Sequence, residues 1–207
     1  MDYSLKLSCT LAAGCSGSGK TTFAIKHMIN SKGVACRFIF DYKGEFEQRL
    51  KIRAARTMAE LNKALATRWV IFNPHKMYAG KINEAFLFFC DWVFRTSQGG
   101  KGRKLFYIDE AWKYCTPHKI PEELATCVQT GRMEGLETFF MTQRPNRLNE
   151  AILNEITEYV CFRLKGENAI ETAIEAGIPE SIPANLPKGQ FYALDLETEA
   201  FTTGRLF

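Results

Sequence analysis

Gly14-Cys15-Ser16-Gly17-Ser18-Gly19-Lys20-Thr21 is the stretch of sequence that decides the fold. It matches the pattern G-x-x-x-x-G-K-[ST] at every fixed position, and it lies between a predicted strand and a predicted helix. Glycines let backbone N–H groups close around phosphate oxygens at the positive N-terminal end of a helix. We therefore predict that residues 14–21, together with Thr22, bind the phosphates of a nucleotide.

Two side chains of this loop have the chemistry that a triphosphate requires. The Lys20 ammonium is expected to reach the β- and γ-phosphates, and the Thr21 hydroxyl is placed to ligate Mg²⁺. The predicted cofactors are accordingly ATP and Mg²⁺. A chance glycine- and serine-rich turn is the alternative, and the flanking strand and helix both argue against it.

Apolar runs and helical patterns alternate along the whole chain. This alternation predicts an α/β fold with a mainly parallel sheet, covered by helices on both faces, and a C-terminal β-hairpin. The predicted strands are 5–13, 34–40, 69–72, 104–108, 136–142 and 159–164, with the hairpin at 190–194 and 200–203. The predicted helices are 20–30, 57–66, 82–96, one from Pro121 toward Gly131, one led by Asn149, and 167–177.

Composition limits the classes of protein that are possible. The 207 residues are 46% hydrophobic and 24% charged, which predicts one globular domain over residues 1–207. A net charge of +4 permits contact with nucleic acid without arguing for it. Seven cysteines at scattered spacings indicate reduced thiols. No apolar run approaches the roughly 18 residues of a membrane span, and no signal peptide is evident, so we expect a soluble, intracellular protein.

Asp109-Glu110 directly follows the apolar predicted strand 104–108. The C-terminal end of a buried parallel strand faces the sheet edge at which ligands bind in α/β folds. Asp109 is expected to hold Mg²⁺ through water, and Glu110 to orient and deprotonate an attacking water. The alternative is an acidic turn that only caps the residues after it.

Gln143 follows the predicted strand 136–142 and should emerge at the same edge of the sheet. An amide there could touch both the γ-phosphate and the attacking water, although an ordinary surface glutamine fits the sequence too. Arg132 is the preferred arginine for stabilising charge on the transferred phosphoryl group. Arg144 and Arg163 are alternatives, and a solvated arginine with no such role also remains open.

Further segments, together with the phosphate loop, resemble the FtsK–HerA branch of P-loop motor ATPases. They are Phe38-Ile39-Phe40-Asp41-Tyr42-Lys43-Gly44-Glu45-Phe46, Gly131-Arg132-Met133-Glu134-Gly135-Leu136, Thr142-Gln143-Arg144-Pro145 and Phe162-Arg163-Leu164. These matches run from about residue 8 to residue 165. The resemblance implies a RecA-like (ASCE) P-loop NTPase fold.

The same resemblance implies a function and partners. The family assembles as rings, here expected to be a hexamer or pentamer, and moves DNA or peptides with ATP. It has an arginine corresponding to Arg132 near the nucleotide, acting in cis or in trans, and a polar sensor that Gln143 matches. Compact members are similar to viral genome-packaging ATPases. That implies double-stranded DNA as a partner, a capsid-vertex or membrane-associated viral protein as another, and the host cytoplasm or virion as location.

The DNA contact and the substrate stay open at this stage. Two basic stretches, 98–104 and 49–56, could face phosphates, and either could equally be a solvated surface. A VirB4- or Zot-like ATPase for protein secretion or phage assembly is the main alternative function. A nucleoside-monophosphate kinase is less favoured, because the chain shows no arginine-rich lid and has Glu110 beside Asp109.

Overall fold

Strands and helices alternate along residues 8–207, the part of the chain that the computed structural model describes. The strands are β1 (Cys9–Ala13), β2 (Val34–Phe40), β3 (Trp69–Phe72), β4 (Arg103–Ile108), β5 (Leu136–Thr142), β6 (Glu158–Cys161), β7 (Gln190–Asp195) and β8 (Phe201–Arg205). They form one sheet in the order β3-β2-β4-β5-β1-β6-β7-β8. The sheet is mostly parallel, and among the pairings resolved the antiparallel ones are β6 with β7 and β7 with β8.

Helices connect these strands. The α-helices are α1 (Lys20–Asn30), α2 (Glu45–Leu50), α3 (Met58–Ala64), α4 (Ile82–Gln98), α5 (Glu122–Ala125), α6 (Glu150–Leu153) and α7 (Glu167–Glu175). The predicted α/β class, with a mostly parallel sheet flanked by helices and a C-terminal hairpin, is confirmed. Within residues 8–207, no helix is both long enough and apolar enough to cross a membrane.

The first of two compact units comprises Met28–Asp109 and Pro121–Thr138. In it β2 pairs in parallel with β3 on one side and with β4 on the other. The start of β5 lies beside β4, where the Lys104 amide donates to the Gly135 carbonyl at 2.8 Å. This unit therefore contains the strand after which Asp109 stands.

Aromatic rings form the core of this unit. The ring of Phe86 on α4 lies 5.3 Å from that of Phe40 on β2, edge to face. One turn further along, Phe89 lies 5.1 Å from Phe72 on β3. Burying such rings is the main favourable contribution to a core of this kind. The strongly apolar pattern at 82–96 is explained by this burial, and the helix continues to Gln98.

The second unit comprises Ser8–His27, Glu110–Ile120 and Phe139–Phe207. Here β1 pairs in parallel with β6, β6 pairs with β7 in antiparallel fashion, and β7 and β8 form the hairpin. The end of β5 lies beside β1, since the Gly14 amide donates to the Thr142 carbonyl at 3.0 Å. Phe23 of α1 packs against Phe191 of β7, with ring centroids 4.9 Å apart.

Three elements differ from the sequence-based prediction. The strand predicted at 159–164 ends at Cys161, because beyond it the Arg163 carbonyl accepts from the Cys15 amide of the phosphate loop and the Leu164 amide donates to the Pro183 carbonyl. The helix after Pro121 begins at Glu122 with Pro121 as its N-cap, and it changes to a π-helix over Thr126–Thr130 and to a 3₁₀ turn over Gly131–Glu134. Helix α2 was not predicted. The predicted strand residues 5–7 lie outside the described residues, and the single-domain expectation stays a prediction.

Candidate nucleotide site

The phosphate loop connects β1 to α1 and has the backbone that its glycines predict. Gly17 and Gly19 have φ angles of 69° and 125°, a region that residues with a Cβ rarely adopt. A Cβ at Gly14 would come within 2.5 Å of the Phe162 Cβ and 2.7 Å of the Ser18 Oγ. Glycine at position 14 is therefore required by close packing, while at 17 and 19 it is required by the conformation.

Backbone hydrogen bonds fix the loop to three other segments of its unit. The Cys15 amide donates to the Arg163 carbonyl at 2.8 Å, which explains why the chain leaves β6 after Cys161. The Ser18 carbonyl accepts from the Gly189 amide at 3.0 Å, just before β7. With the bond from Gly14 to the end of β5, these contacts hold the loop in place before α1 begins.

The side chains of the loop fit a triphosphate. Lys20 is buried, and its Nζ donates to the carbonyls of Gly14 at 2.7 Å and Cys15 at 3.1 Å. Ser18 is 4% exposed, and its Oγ has no hydrogen-bond partner among the described residues. A buried hydroxyl without a partner is costly unless a ligand satisfies it. Thr21 is half-buried in the first turn of α1, whose leading N–H groups have no partner within a helix.

Asp109 stands directly after β4, in the first unit. Its Oδ2 accepts from the Lys43 ammonium at 2.8 Å. The register explains the contact, because Phe40 pairs with Ile108 and the chain from Asp41 onward leaves the sheet beside the end of β4. Lys43 lies in the segment 38–46 that carried the family resemblance, but no role was predicted for it. The parallel arrangement of the two strands is the signal that could have found it.

Glu110, in the second unit, is the most constrained of the predicted site residues. It is 4% exposed, and its backbone is left-handed, with φ 51° and ψ 47°. The Gln143 side-chain amide donates to Glu110 Oε1, and the Trp112 indole N–H donates to Oε2 at 2.7 Å. The structure thus brings together Glu110 and Gln143, two residues that the sequence placed at one sheet edge. It also adds Trp112, for which sequence offered no decision between packing and a functional role.

Arg132 lies in the 3₁₀ turn Gly131–Glu134 of the first unit, directly after the π-helix. It is half-buried, whereas its neighbour Met133 is 80% exposed. Short π-helical segments are rare and frequently accompany functional sites. The structure therefore gives this turn an unusual backbone, and the role of Arg132 remains a prediction.

Most charges in the two basic stretches are already paired. In the first stretch Arg103 forms an ion pair with Glu137, and Lys104 is buried with its ammonium on the carbonyls of Gly100 and Glu134 at 2.6 and 2.8 Å. Burial also lowers the pKa of Lys104. Of that stretch's predicted phosphate contacts, Lys101 alone is fully exposed.

The second stretch is partly paired, with Arg49 and Arg56 held by glutamates and Lys51 and Arg53 exposed. Arg49 lies 3.0 Å from Glu45, and Arg56 lies 2.5 Å from Glu47. The bond to Arg56 lowers the pKa of Glu47, as expected for a carboxylate beside a guanidinium. Only some of the cations in each stretch are exposed, which weakens both stretches as candidates for contact with phosphates.

A phosphate loop between β1 and α1 and polar side chains after β4 and β5 define the fold of a RecA-like P-loop NTPase. The genome-packaging NTPase B204 of Sulfolobus turreted icosahedral virus 2, in complex with AMPPCP, is similar with a TM-score of 0.68 and 16% identity, over 96% of this chain and 97% of that one. The resemblance to FtsK–HerA-type P-loop ATPases is confirmed at the level of the fold.

Two further solved structures are similar over 96% of this chain. The cytoplasmic domain of the type VII secretion ATPase EccC from Thermomonospora curvata matches with a TM-score of 0.58 and 14% identity, over 24% of its own length. The plasmid coupling protein TrwB, in complex with a GTP analogue, matches with a TM-score of 0.59 and 10% identity, over 85% of its length. No protein-family model matches the chain, and no curated protein matches it in sequence.

Proposed function

We propose that this chain is an ATP-hydrolysing motor that moves double-stranded DNA, and that its specific role is to package a viral genome. The observation that carries the proposal is the Glu110 carboxylate, bound by Gln143 in the same unit as the phosphate loop. A buried carboxylate paired with a polar sensor suits activation of water, whereas a nucleoside-monophosphate kinase needs no such base, because its acceptor is already an anionic phosphate. We therefore favour hydrolysis over phosphoryl transfer to a second substrate.

Each residue has a role in this mechanism. The loop residues from Gly14 to Thr22 bind the phosphates, and Lys20 exchanges its bonds to loop carbonyls for bonds to β- and γ-phosphate oxygens. Thr21 and Asp109 would hold Mg²⁺, which would supply positive charge to neutralise the phosphates. Glu110 takes the proton of the attacking water, and Gln143 orients that water.

Arg132 completes the proposed site. It stabilises the charge that develops on the transferred phosphoryl group, as an arginine does in related phosphoryl-transfer sites. We assign it to the neighbouring subunit of a ring, either a hexamer or a pentamer, so that hydrolysis requires assembly.

The packaging role rests on the comparison with B204, because the two chains cover each other almost completely. That protein has also been solved with ATP-γS, which favours ATP as the nucleotide here. Under this proposal the motor acts in the host cytoplasm or on the virion, docked to a capsid vertex or to a membrane-associated viral protein. The similarity to EccC supports a second candidate, a protein-secretion or phage-assembly ATPase.

ATPase measurements with and without double-stranded DNA test the proposal. We expect DNA of arbitrary sequence to raise the turnover of ATP several-fold, and Lys20→Met protein to show neither basal nor stimulated turnover. Hydrolysis that is indifferent to DNA but rises with an unfolded polypeptide would support the secretion candidate. Phosphorylation of a nucleoside monophosphate without release of inorganic phosphate would point to a kinase.

A further inference from the structure

Trp112 is surrounded by positive charge and is bonded to the proposed catalytic base. The Arg144 guanidinium lies 4.9 Å from the centre of its ring, the Arg147 guanidinium 5.7 Å, and the Lys113 ammonium 6.0 Å. All three are within the distance at which a cation interacts with an aromatic face. The indole N–H of the same ring donates to Glu110 Oε2 at 2.7 Å.

The local backbone brings the two arginines close together in the chain. Arg144 immediately precedes the 3₁₀ turn Pro145–Arg147, and Arg147 is its last residue. Residues three apart in a 3₁₀ turn lie above one another, because this type of helix has three residues per turn. The Arg147 amide donates to the Arg144 carbonyl at 3.0 Å, and the Arg144 amide donates to Thr142 Oγ1 at 3.0 Å. Gln143, which binds the other oxygen of Glu110, precedes Arg144 directly.

Both arginines are available to an anionic ligand. They are exposed, and within residues 8–207 neither forms an ion pair with a carboxylate. In the two basic stretches, by contrast, Arg49, Arg56 and Arg103 are held by glutamates. Two guanidinium groups without carboxylate partners in the described part of the chain, beside one aromatic ring, suit phosphate oxygens spaced along a backbone, because each guanidinium can bind a phosphate with two parallel N–H groups.

We propose that Arg144, Arg147 and Trp112 form a contact for the phosphate backbone of nucleic acid, and that this contact regulates Glu110. The inference rests on the proposed function and assigns its DNA contact to these residues. Phosphates that bind the two guanidinium groups draw them off the indole ring. The ring then shifts, and its N–H releases Glu110 Oε2 to accept the proton of the attacking water. Nucleic acid binding is thereby converted into faster hydrolysis.

Binding of a short fluorescein-labelled DNA duplex, measured by anisotropy over a series of salt concentrations, tests the contact. The variant is Arg144→Gln with Arg147→Gln. The matched control is Arg53→Gln with Lys101→Gln, which removes the same formal charge, one cation from each basic stretch. We expect the double arginine variant to bind DNA more weakly and to lose about 2 from the slope of log Kd against log salt, about 1 for each lost phosphate contact. The control should keep both values.

The coupling is tested separately with Trp112→Phe, which keeps an aromatic ring for the arginines but removes the indole N–H. This variant should bind DNA as the natural protein does, but DNA should no longer stimulate its turnover. The ratio of turnover with DNA to turnover without DNA should therefore be close to one. A ratio equal to that of the natural protein overturns the regulatory contact. If the natural protein binds DNA and the double arginine variant binds it equally well, the contact is wrong and the motor proposal stands. If the natural protein binds no DNA, the proposed function itself fails.

Discussion

Glu110 is held at both oxygens of its carboxylate, which makes its replacement by glutamine informative. Glu110→Gln keeps the length of the side chain but cannot take a proton from water. We expect ATP to remain bound while turnover falls by about 10²-fold or more, the usual contribution of a general base. Radiolabelled ATP retained on the protein and phosphate released in a single turnover measure the two steps. Weak ATP binding with normal turnover of what is bound would contradict this role.

Methionine is the informative replacement for Lys20 in a test of nucleotide binding, because the lysine is buried and its ammonium bonds to two loop carbonyls. Alanine would remove the packed stem as well as the ammonium, while Lys20→Met keeps the stem and removes the ammonium with its charge and N–H donors. We expect nucleotide binding to be lost and the melting temperature to change little. Near-natural hydrolysis by Lys20→Met would show that the phosphate loop is not the nucleotide site.

At the scale of elements, the ladder between β6 and β7 contains a pair of like charges. Glu158 lies opposite Asp195, and the Thr10 hydroxyl donates to Glu158 Oε2 at 3.0 Å. Burial, with a smaller contribution from Asp195, raises the pKa of Glu158 above its ordinary value. A raised folded-state pKa means that folding disfavours the ionised form. The contribution of Glu158 to the free energy of unfolding is therefore largest at low pH. It declines as the pH rises from the ordinary pKa of a glutamate through the raised pKa of Glu158 in the folded state.

Glu158→Gln should accordingly stabilise the protein at neutral pH, by less than about 1 kcal/mol, the scale of a cross-strand pair. Near pH 4 the gain should shrink, because Glu158 is then largely protonated in the natural protein. Urea unfolding at the two pH values measures the difference. Glu180→Gln, at an exposed position, is the matched control and should show no such dependence. Equal effects of Glu158→Gln at both pH values would contradict the assigned cause.

Sequence patterns predicted the elements whose signals are local. Helix α1 and strands β2, β3 and β5 have the predicted bounds, and Thr57 caps α3 by accepting from the Glu60 amide. The end of β6 was not predictable, since tertiary bonds to the phosphate loop decide it. The π-helix is a distortion with no sequence pattern of its own.

Some contacts of the candidate site could likewise be predicted from sequence, and others could not. Glu110 and Gln143 could be placed together because both follow parallel strands, and the ends of such strands meet at one edge of a sheet. The bond from Trp112 to Glu110 could not be predicted, because it depends on the left-handed backbone at position 110. The pairing of Arg103 and Lys104 was equally hidden, since exposure of a basic loop cannot be read from its composition.

At the scale of the whole molecule, Arg132 decides whether the site is shared between subunits. If it acts on the neighbouring subunit, the specific activity should fall on dilution as rings dissociate. Arg132→Ala should lower turnover by about 10³-fold, in the range for arginines that act in trans, with little change in ATP affinity. Steady-state turnover over a dilution series and ATP titration measure these effects.

Mixing the Arg132→Ala and Glu110→Gln proteins is the decisive control. At a mixed interface, a site with intact Glu110 receives the intact Arg132 of its neighbour, so part of the activity should return. An arginine acting within its own subunit gives no rescue, because every subunit then carries a defect in its own site. A mixture that stays inactive, with natural activity that is flat on dilution, would remove the shared site and leave the ATPase core in place.

The left-handed backbone of Glu110 lowers the stability of the fold at a position that the proposed hydrolysis requires to be glutamate. A residue with a Cβ in this conformation costs roughly 1–3 kcal/mol, a sizeable share of the stability of an ordinary domain. Glycine and asparagine adopt it more readily. A library of this chain selected only for survival of heating should therefore accumulate glycine or asparagine at position 110 and lose hydrolysis.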